Sequence, residues 1–426
     1  CLNVGCIPTK MFVHTADVAA TPGHAARFGV DETLDKVRWT DVRDRIFGRI
    51  DPIAAGGREY RRNHTDNANV TVFEGVARFT GHKQLTIAPN DGGARQVITA
   101  EQVVLAAGGR PVIPDIEGLD EVGYHTSDTV MRLDELPAGI IILGGGFIAA
   151  EFAHVFSAFG VEVTIVARSG ALLRGEDADV SKRFTELAER RWDVRKNRKA
   201  IRAERVAGRV RLHLDGAGGI EVIEADELLV ATGRTPNSDT LDVAATGVST
   251  SDDGYVVVDE YQRTVMDGIY ALGDISSPHE LKHVANHEAS VVQHNLLHPD
   301  APRAADHRFV PHAVFSSPQI ASVGLTEQAA REQDVDYVTS SQDYAGIAYG
   351  WAMEDTTGFA KVLADPHTGT LLGAHIIGPQ APTLIQPLIQ AMSFGLDTRS
   401  MAHGQYWIHP AMPELVENAL LNLPLE

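Results

Sequence analysis

The sequence predicts an α/β protein with two Rossmann-like dinucleotide-binding domains and a C-terminal α+β domain. Three observations predict it. The apolar run Gly139-Ile-Ile-Ile-Leu leads into Gly144-Gly145-Gly146-Phe147-Ile148-Ala149 and then a helical stretch reaching Phe159. Between a strand and a helix, Gly-x-Gly-x-x-Ala is the dinucleotide fingerprint: glycines allow the tight turn, and the helix N-terminus offers free N–H groups to a pyrophosphate. Second, Gln102-Val-Val-Leu-Ala-Ala-Gly-Gly-Arg-Pro is echoed by Glu227-Leu-Leu-Val-Ala-Thr-Gly-Arg-Thr-Pro, about one domain later. Third, from Arg308 the composition changes to strands followed by apolar helices.

At 426 residues the chain exceeds one core, so two or three domains are expected. A hydrophobic content of 44% and a charged content of 22% are ordinary for a globular protein. With no apolar run of membrane-spanning length and no leader pattern, a cytoplasmic home and no membrane partner are expected. The formal net charge of -20 argues against nucleic acid as a partner. Any anionic ligand must then be held by local basic residues and helix ends.

The first ten residues, Cys1-Leu2-Asn3-Val4-Gly5-Cys6-Ile7-Pro8-Thr9-Lys10, contain both cysteines of the chain. Two are too few for a disulfide framework or a cysteine zinc site. Their spacing, about one helical turn, suits a redox couple that is either bonded or open; two incidental cysteines are the alternative. Gly5 leaves space beside Cys6 for a flat cofactor. Residues 5–20 read as a helix, with Met11, Val13 and Val18 as apolar contacts. A second helical pattern covers 35–63 through Val37, Val42, Ile46 and Ile50. Val70–Phe73, Val76–Phe79 and Gln84–Ile87, with a turn at Asn90-Asp-Gly-Gly, read as a small antiparallel insertion.

Gly108 and Gly233 end the two echoed strands in glycine turns. The strand Glu162–Ala167 ends at Arg168, where an acidic residue would bind a ribose 2′-hydroxyl. Arg168, helped by Arg174, suits a 2′-phosphate instead, and so NADPH. A helix over 176–192 and strands near 201–214 and 220–225 follow. Tyr270-Ala-Leu-Gly273-Asp274 places a carboxylate after a glycine at a strand end, and a helix runs from Leu281 toward Leu297. In it His283 and His287 stand at i, i+4, but further ligands are missing, so no metal is expected. Strands at 358–363 and 371–377 and apolar helices at 382–394 and 413–421 complete the chain. Apolar stripes on these helices predict a dimer. Finally His409-Pro-Ala-Met-Pro-Glu414 sets a carboxylate where it can orient an imidazole and raise its basicity.

The opening ten residues resemble the redox-active disulfide segment of the class I flavoprotein pyridine nucleotide-disulfide oxidoreductases, and the resemblance runs along the whole chain. It implies an FAD-binding domain at 1–134 with a return segment at 256–306, an NADPH-binding domain at 135–255 and an interface domain at 307–426. It implies that Cys6 faces the flavin and Cys1 is the interchange thiol. Lys10, paired with Glu151, would lie near the flavin. Ala77, Gly108 and Asp274 would belong to the FAD site, with Asp274 on the ribityl hydroxyls. Gly144, Gly145, Gly146, Ile148, Arg168, Arg174 and Gly233 would belong to the NADPH site. His409 and Glu414 would be an acid–base pair reaching a second subunit of a homodimer.

Three departures stand out: Ala107 replaces a usual Thr, Phe147 stands where several relatives carry a gating tyrosine, and only one lysine follows Pro8. Relatives also carry a strand-turn-helix unit with the flavin fingerprint ahead of the cysteines; it is expected to be missing from the chain as given. The resemblance implies NADPH-dependent reduction of a small disulfide. An NAD-using, dihydrolipoyl dehydrogenase-like enzyme and a flavin-free, non-catalytic dimer stay open.

Overall fold

A parallel sheet of four strands lies behind the glycine fingerprint, in the order Glu227–Val230, Gly139–Leu143, Glu162–Val166, Asp193–Arg195. All five residues of Gly139–Leu143 are buried, which explains why that strand is apolar throughout instead of alternating. This is a computed structural model, and it describes residues 1–426. The chain forms two compact units, Leu2–Gly48 with Ile113–Thr232 and Arg308–Glu426, and Cys1 with Arg49–Val112 and Gly233–His307.

The first unit contains the parallel sheet. The helix Phe147–Ala158 buries Ala149, Ala150, Phe152, Ala153, Val155 and Phe156. An antiparallel ribbon of Lys199–Val206, Arg209–Asp215 and Glu221–Ala225 packs Val210, Leu212 and Leu214 inward with the two-residue period of a strand. The helix Cys6–Ala20 packs on Phe147–Ala158. Its Phe12 stacks on Trp39 at a centroid distance of 5.3 Å, and the Trp39 Nε1–H donates to the Leu133 carbonyl at 2.7 Å. The C-terminal part is a five-stranded antiparallel sheet, ordered His312–Val314, Ile320–Gly324, Leu371–Ile377, Phe359–Ala364, Val338–Asp343. Its core joins Val362, Ala374 and Ile376 to Leu388 and Leu415 of the covering helices.

The second unit has a three-stranded antiparallel sheet, Gly75–Gly81, Gln84–Pro89 and Gln96–Thr99. Ile269–Ala271 runs parallel to Val103–Leu105. The tripeptides after the two echoed glycine turns meet each other: Arg234–Pro236 pairs antiparallel with Gly109–Pro111. Phe79, Leu105, Val243, Ile269 and Ile275 form the core.

Val18, expected as an apolar contact, is 61% exposed, the helix expected from 35 starts only at Trp39, and two further elements differ. Val70–Phe73 is not a strand; Val70, Val72 and Phe73 are all exposed, so the segment has no face to bury against a sheet. The helix expected at 382–394 is two, Ala381–Leu384 and Gln386–Phe394. Pro387 has no N–H to return to Thr383, and its ring crowds that carbonyl, so the first helix ends there.

Candidate active site

Cys6 is the first residue of the helix Cys6–Ala20, with Gly5 as its N-cap, and both cysteines are free, exposed thiols. About one turn further on, Lys10 Nζ lies 2.5 Å from Glu151 Oε2 and 4.4 Å from the centroid of the Phe315 ring. The other Glu151 oxygen accepts the Phe315 N–H at 3.0 Å. The buried carboxylate is thus satisfied on both sides, and it fixes the ammonium over an aromatic face. Along the same seam, Asp17 Oδ1 lies 2.8 Å from Nε2 of the fully buried His154. Lys10 and Asp17 are seven apart on one helix, and Glu151 and His154 three apart on the other. The two polar pairs therefore lie on facing stripes. Nothing in the local sequence marks Asp17, His154 or Phe315; they become visible only when the helices pack.

The fingerprint has the shape a pyrophosphate needs. Gly144 has φ +143°, and a Cβ there would sit 2.1 Å from the Ala231 carbonyl oxygen, so only glycine fits. A Cβ on Gly145 would press on Ala167 and Leu172 at 3.3 Å. A Cβ on Gly146 would meet nothing within 4 Å, so its outer side is open to a ligand. Gly146 is the N-cap of Phe147–Ala158, and no side chain caps that end, nor does its first turn contain an acidic residue. The N–H groups of the turn, Ile148 included, are therefore available to an anion. Arg168 and Arg174, beyond the end of the neighbouring strand, are both exposed. This donor set, backbone N–H groups plus two guanidiniums without a competing carboxylate at the helix end, fits a phosphorylated dinucleotide.

In the second unit Gly108 has φ +68°, and a Cβ on the following Gly109 would lie 3.8 Å from the Asp274 Cβ. The half-buried Asp274 therefore flanks the first glycine turn, where its carboxylate can accept from hydroxyls. That acceptor beside an open glycine turn fits the polyol chain of a flavin nucleotide. Gly273 N–H donates to Glu288 Oε2 at 2.6 Å, which fixes the start of this loop. Gly233 has φ +125°, and its carbonyl accepts the Val112 N–H at 2.9 Å. Ala77 lies on Gly75–Gly81 opposite Ile87, with no feature that distinguishes it. The sequence gives no sign of Glu280: burial and the nearby Asp274 charge hold its carboxyl above the ordinary range. The Tyr255 hydroxyl donates to it at 3.2 Å, and burial beside that carboxyl pushes the phenol up to about 12. His287 Nε2 accepts the Asp306 N–H at 3.1 Å.

His409 Nδ1 lies 2.6 Å from Glu414 Oε1, with the ring 69% and the carboxylate side chain 16% exposed. The second Glu414 oxygen accepts the Ala411 N–H at 3.3 Å. Because Glu414 opens the helix Glu414–Leu421, the favourable dipole there also holds its charge. With Nδ1 engaged, Nε2 is the nitrogen left for proton exchange.

The family model described as pyridine nucleotide-disulphide oxidoreductase matches residues 1–289, and the dimerisation domain of that family matches residues 310–420. The chain belongs to the pyridine nucleotide-disulphide oxidoreductase family, so it is an oxidoreductase of the flavoprotein disulfide reductase type, using FAD and NAD(P)H. It is 55% identical to mycothione reductase of Mycobacterium tuberculosis over 430 residues, covering 99% of this chain and 92% of that protein. It is 33% identical to mercuric reductase of Streptomyces lividans, covering 94% and 84%. Among solved structures, the HOCl-induced flavoprotein disulfide reductase RclA from Escherichia coli superposes with a TM-score of 0.84 at 28% identity, covering 99% of this chain and 91% of that one. No helix is long and apolar enough to cross a membrane.

Proposed function

We propose that the protein reduces mycothione, the disulfide of mycothiol, to two thiols at the expense of NADPH. The 55% identity to a mycothione reductase over nearly the whole chain supports the substrate, and the exposed Arg168 and Arg174 support NADPH. The observation that carries the chemistry is the 2.6 Å contact between His409 and Glu414. It is an oriented, exposed imidazole of the kind that thiol–disulfide exchange requires as its proton carrier.

Bound FAD would supply two-electron transfer from NADPH to the Cys1–Cys6 disulfide. Asp274 and the Gly108 turn would hold its polyol chain; Lys10, held by Glu151, would supply positive charge to its reduced form. Gly144, Gly145, Gly146 and Ile148 would hold the NADPH pyrophosphate, Arg168 and Arg174 its 2′-phosphate. The thiolate of Cys1 attacks one sulfur of the substrate; the S–S bond breaks, a mixed disulfide forms, and His409 gives its proton to the departing thiolate. Cys6 then attacks the Cys1 sulfur, closes the protein disulfide and releases the second thiol. Glu414 stabilises the imidazolium while it carries the proton. We assign residues 135–255 to the coenzyme domain and 307–426 to a homodimer interface, through which His409 serves the cysteines of the other subunit. The exposed Trp351, Phe394, Tyr406 and Ile408 support burial of this face against a second copy.

The experiment is a Cys1→Ser variant with a substrate panel. The variant should still bleach the flavin with NADPH but turn over no disulfide, whereas the unaltered enzyme should prefer mycothione to glutathione and lipoamide disulfides. Turnover by Cys1→Ser would exclude the scheme.

A further inference from the structure

The segment that carries Arg174 is held from both ends. On one side the Leu173 N–H donates to the Gly145 carbonyl at 2.8 Å, and the Leu172 N–H to Thr185 Oγ1 at 3.0 Å. Leu173 has φ +52°, a left-handed conformation that a branched residue keeps only where its surroundings enforce it. On the other side Glu176 and Asp177 are clamped. Glu176 Oε1 lies 2.9 Å from His312 Nε2, and Oε2 accepts from Ser322 Oγ at 2.7 Å. The Glu176 carbonyl accepts from Gln328 Nε2 at 2.8 Å. Asp177 Oδ2 accepts the Glu327 N–H at 2.9 Å, and Oδ1 lies 2.9 Å from Lys361 Nζ. Lys361 also meets Asp179 at 2.7 Å and Glu327 at 2.6 Å, and its side chain is 3% exposed.

Five of the residues that hold Glu176 and Asp177, namely His312, Ser322, Glu327, Gln328 and Lys361, lie inside the part that matches the dimerisation domain. Glu176 and Asp177 are both buried, so neither can move without leaving a charge unpaired in the interior. Burial and pairing of this kind add little net stability over apolar packing, but they fix position. A cavity of about 450 Å³ adjoins the clamp, lined by Arg174, Lys182, Glu176 and Gln328 among others.

We propose that Lys361, Ser322 and His312, acting through Glu176 and Asp177, are positioning residues for Arg174. They thereby set the preference for a 2′-phosphorylated over an unphosphorylated nicotinamide dinucleotide. The proposal rests on reading Arg174 as a ligand of the 2′-phosphate. An arginine on a fixed backbone loses less freedom when the phosphate binds than one on a loose loop. Releasing the clamp frees the strained Leu173, and the guanidinium disperses. The unphosphorylated coenzyme makes no use of that guanidinium, so it does not notice.

The test compares NADPH with NADH in the flavin-loaded enzyme, together with equilibrium binding of NADP⁺ and NAD⁺, for Arg174→Ala, Lys361→Met and Ser322→Ala. Arg174→Ala should raise KM for NADPH about tenfold, and the two clamp variants about three- to tenfold, with kcat held within about twofold. NADH should respond to the clamp variants by less than about twofold, so the selectivity ratio falls. If Lys361→Met does not fold, Ser322→Ala, which removes a single hydroxyl, decides the matter. Equal changes for both coenzymes, or a loss confined to kcat or melting temperature, would overturn the proposal. An Arg174→Ala variant with unchanged NADPH kinetics would remove the coenzyme reading and this proposal together. A responsive Arg174→Ala beside silent clamp variants would remove this proposal alone.

Discussion

The Nδ1 atom of His409 and the Oε1 atom of Glu414 are 2.6 Å apart, and the imidazole is far more exposed than the carboxylate that holds it. The imidazole, the proposed acid–base group, faces solvent while Glu414 sits behind it at a helix start. Replacing Glu414 by Gln keeps the shape but removes the charge that stabilises the imidazolium. Disulfide turnover should fall by about 10²–10⁴-fold with NADPH-driven flavin bleaching retained. Stopped-flow absorbance of the two half-reactions checks this; equal loss in both would contradict the role.

The ion pair of Lys10 with the buried Glu151 predicts an asymmetric pattern. Lys10→Met leaves a carboxylate unpaired in the interior and should destabilise the protein by about 2–3 kcal/mol. The double variant Lys10→Met/Glu151→Leu should recover much of that loss. Urea unfolding of the single and double variants measures the coupling.

Gly144 leaves no room for a methyl group, since its Cβ would stand 2.1 Å from the Ala231 carbonyl oxygen. Gly144→Ala must push the fingerprint turn away from Ala231. NADP⁺ affinity should drop at least tenfold, while Gly146→Ala, which meets no protein atom, should act only by intruding on the ligand. Calorimetric titration of both variants, with circular dichroism as a folding check, separates the two.

Stability should depend on pH through His312 and Glu176. Burial pulls the His312 imidazole down, but the Glu176 hydrogen bond and charge outweigh it and leave it above its ordinary 6.5. Its contribution is therefore complete below pH 6.5 and disappears as pH rises through the elevated folded value. Burial pushes Glu176 up, but His312 and Ser322 outweigh that and hold it below its ordinary 4.5. Its contribution is present above pH 4.5 and is lost as pH falls through the depressed folded value. Melting temperatures across pH 5–9 should decline on the alkaline side, and His312→Asn should flatten that decline; an unchanged profile would refute the linkage.

The features that reading recovered are those written locally. The glycine fingerprint, each of the echoed strands, and the contact of His409 with Glu414 occupy one short stretch apiece, and each constrains backbone or chemistry within that stretch. Lys361, Asp177, His154 and Phe315 were invisible because each acquires its meaning from a partner more than a hundred residues away. A lone lysine in Gly358-Phe-Ala-Lys361 reads as an ordinary strand residue until Asp177 arrives beside it. The break before Gln386 is written in Pro387, inside an otherwise continuous apolar pattern. Val70–Phe73 failed for the opposite reason, since β-branched composition without a surface to cover does not make a strand.

The short ladder between Arg234–Pro236 and Gly109–Pro111 has a proline at each of its two ends, because Arg234 faces Pro111 and Pro236 faces Gly109. Neither proline is asked for a ladder hydrogen bond, because the bonds that flank the tripeptides run from the Val112 N–H to the Gly233 carbonyl and from the Asn237 N–H to the Gly108 carbonyl, both at 2.9 Å. The duplicated segments are thus stitched through the carbonyls of their own glycine turns, and a change in either tripeptide has to be answered in its twin.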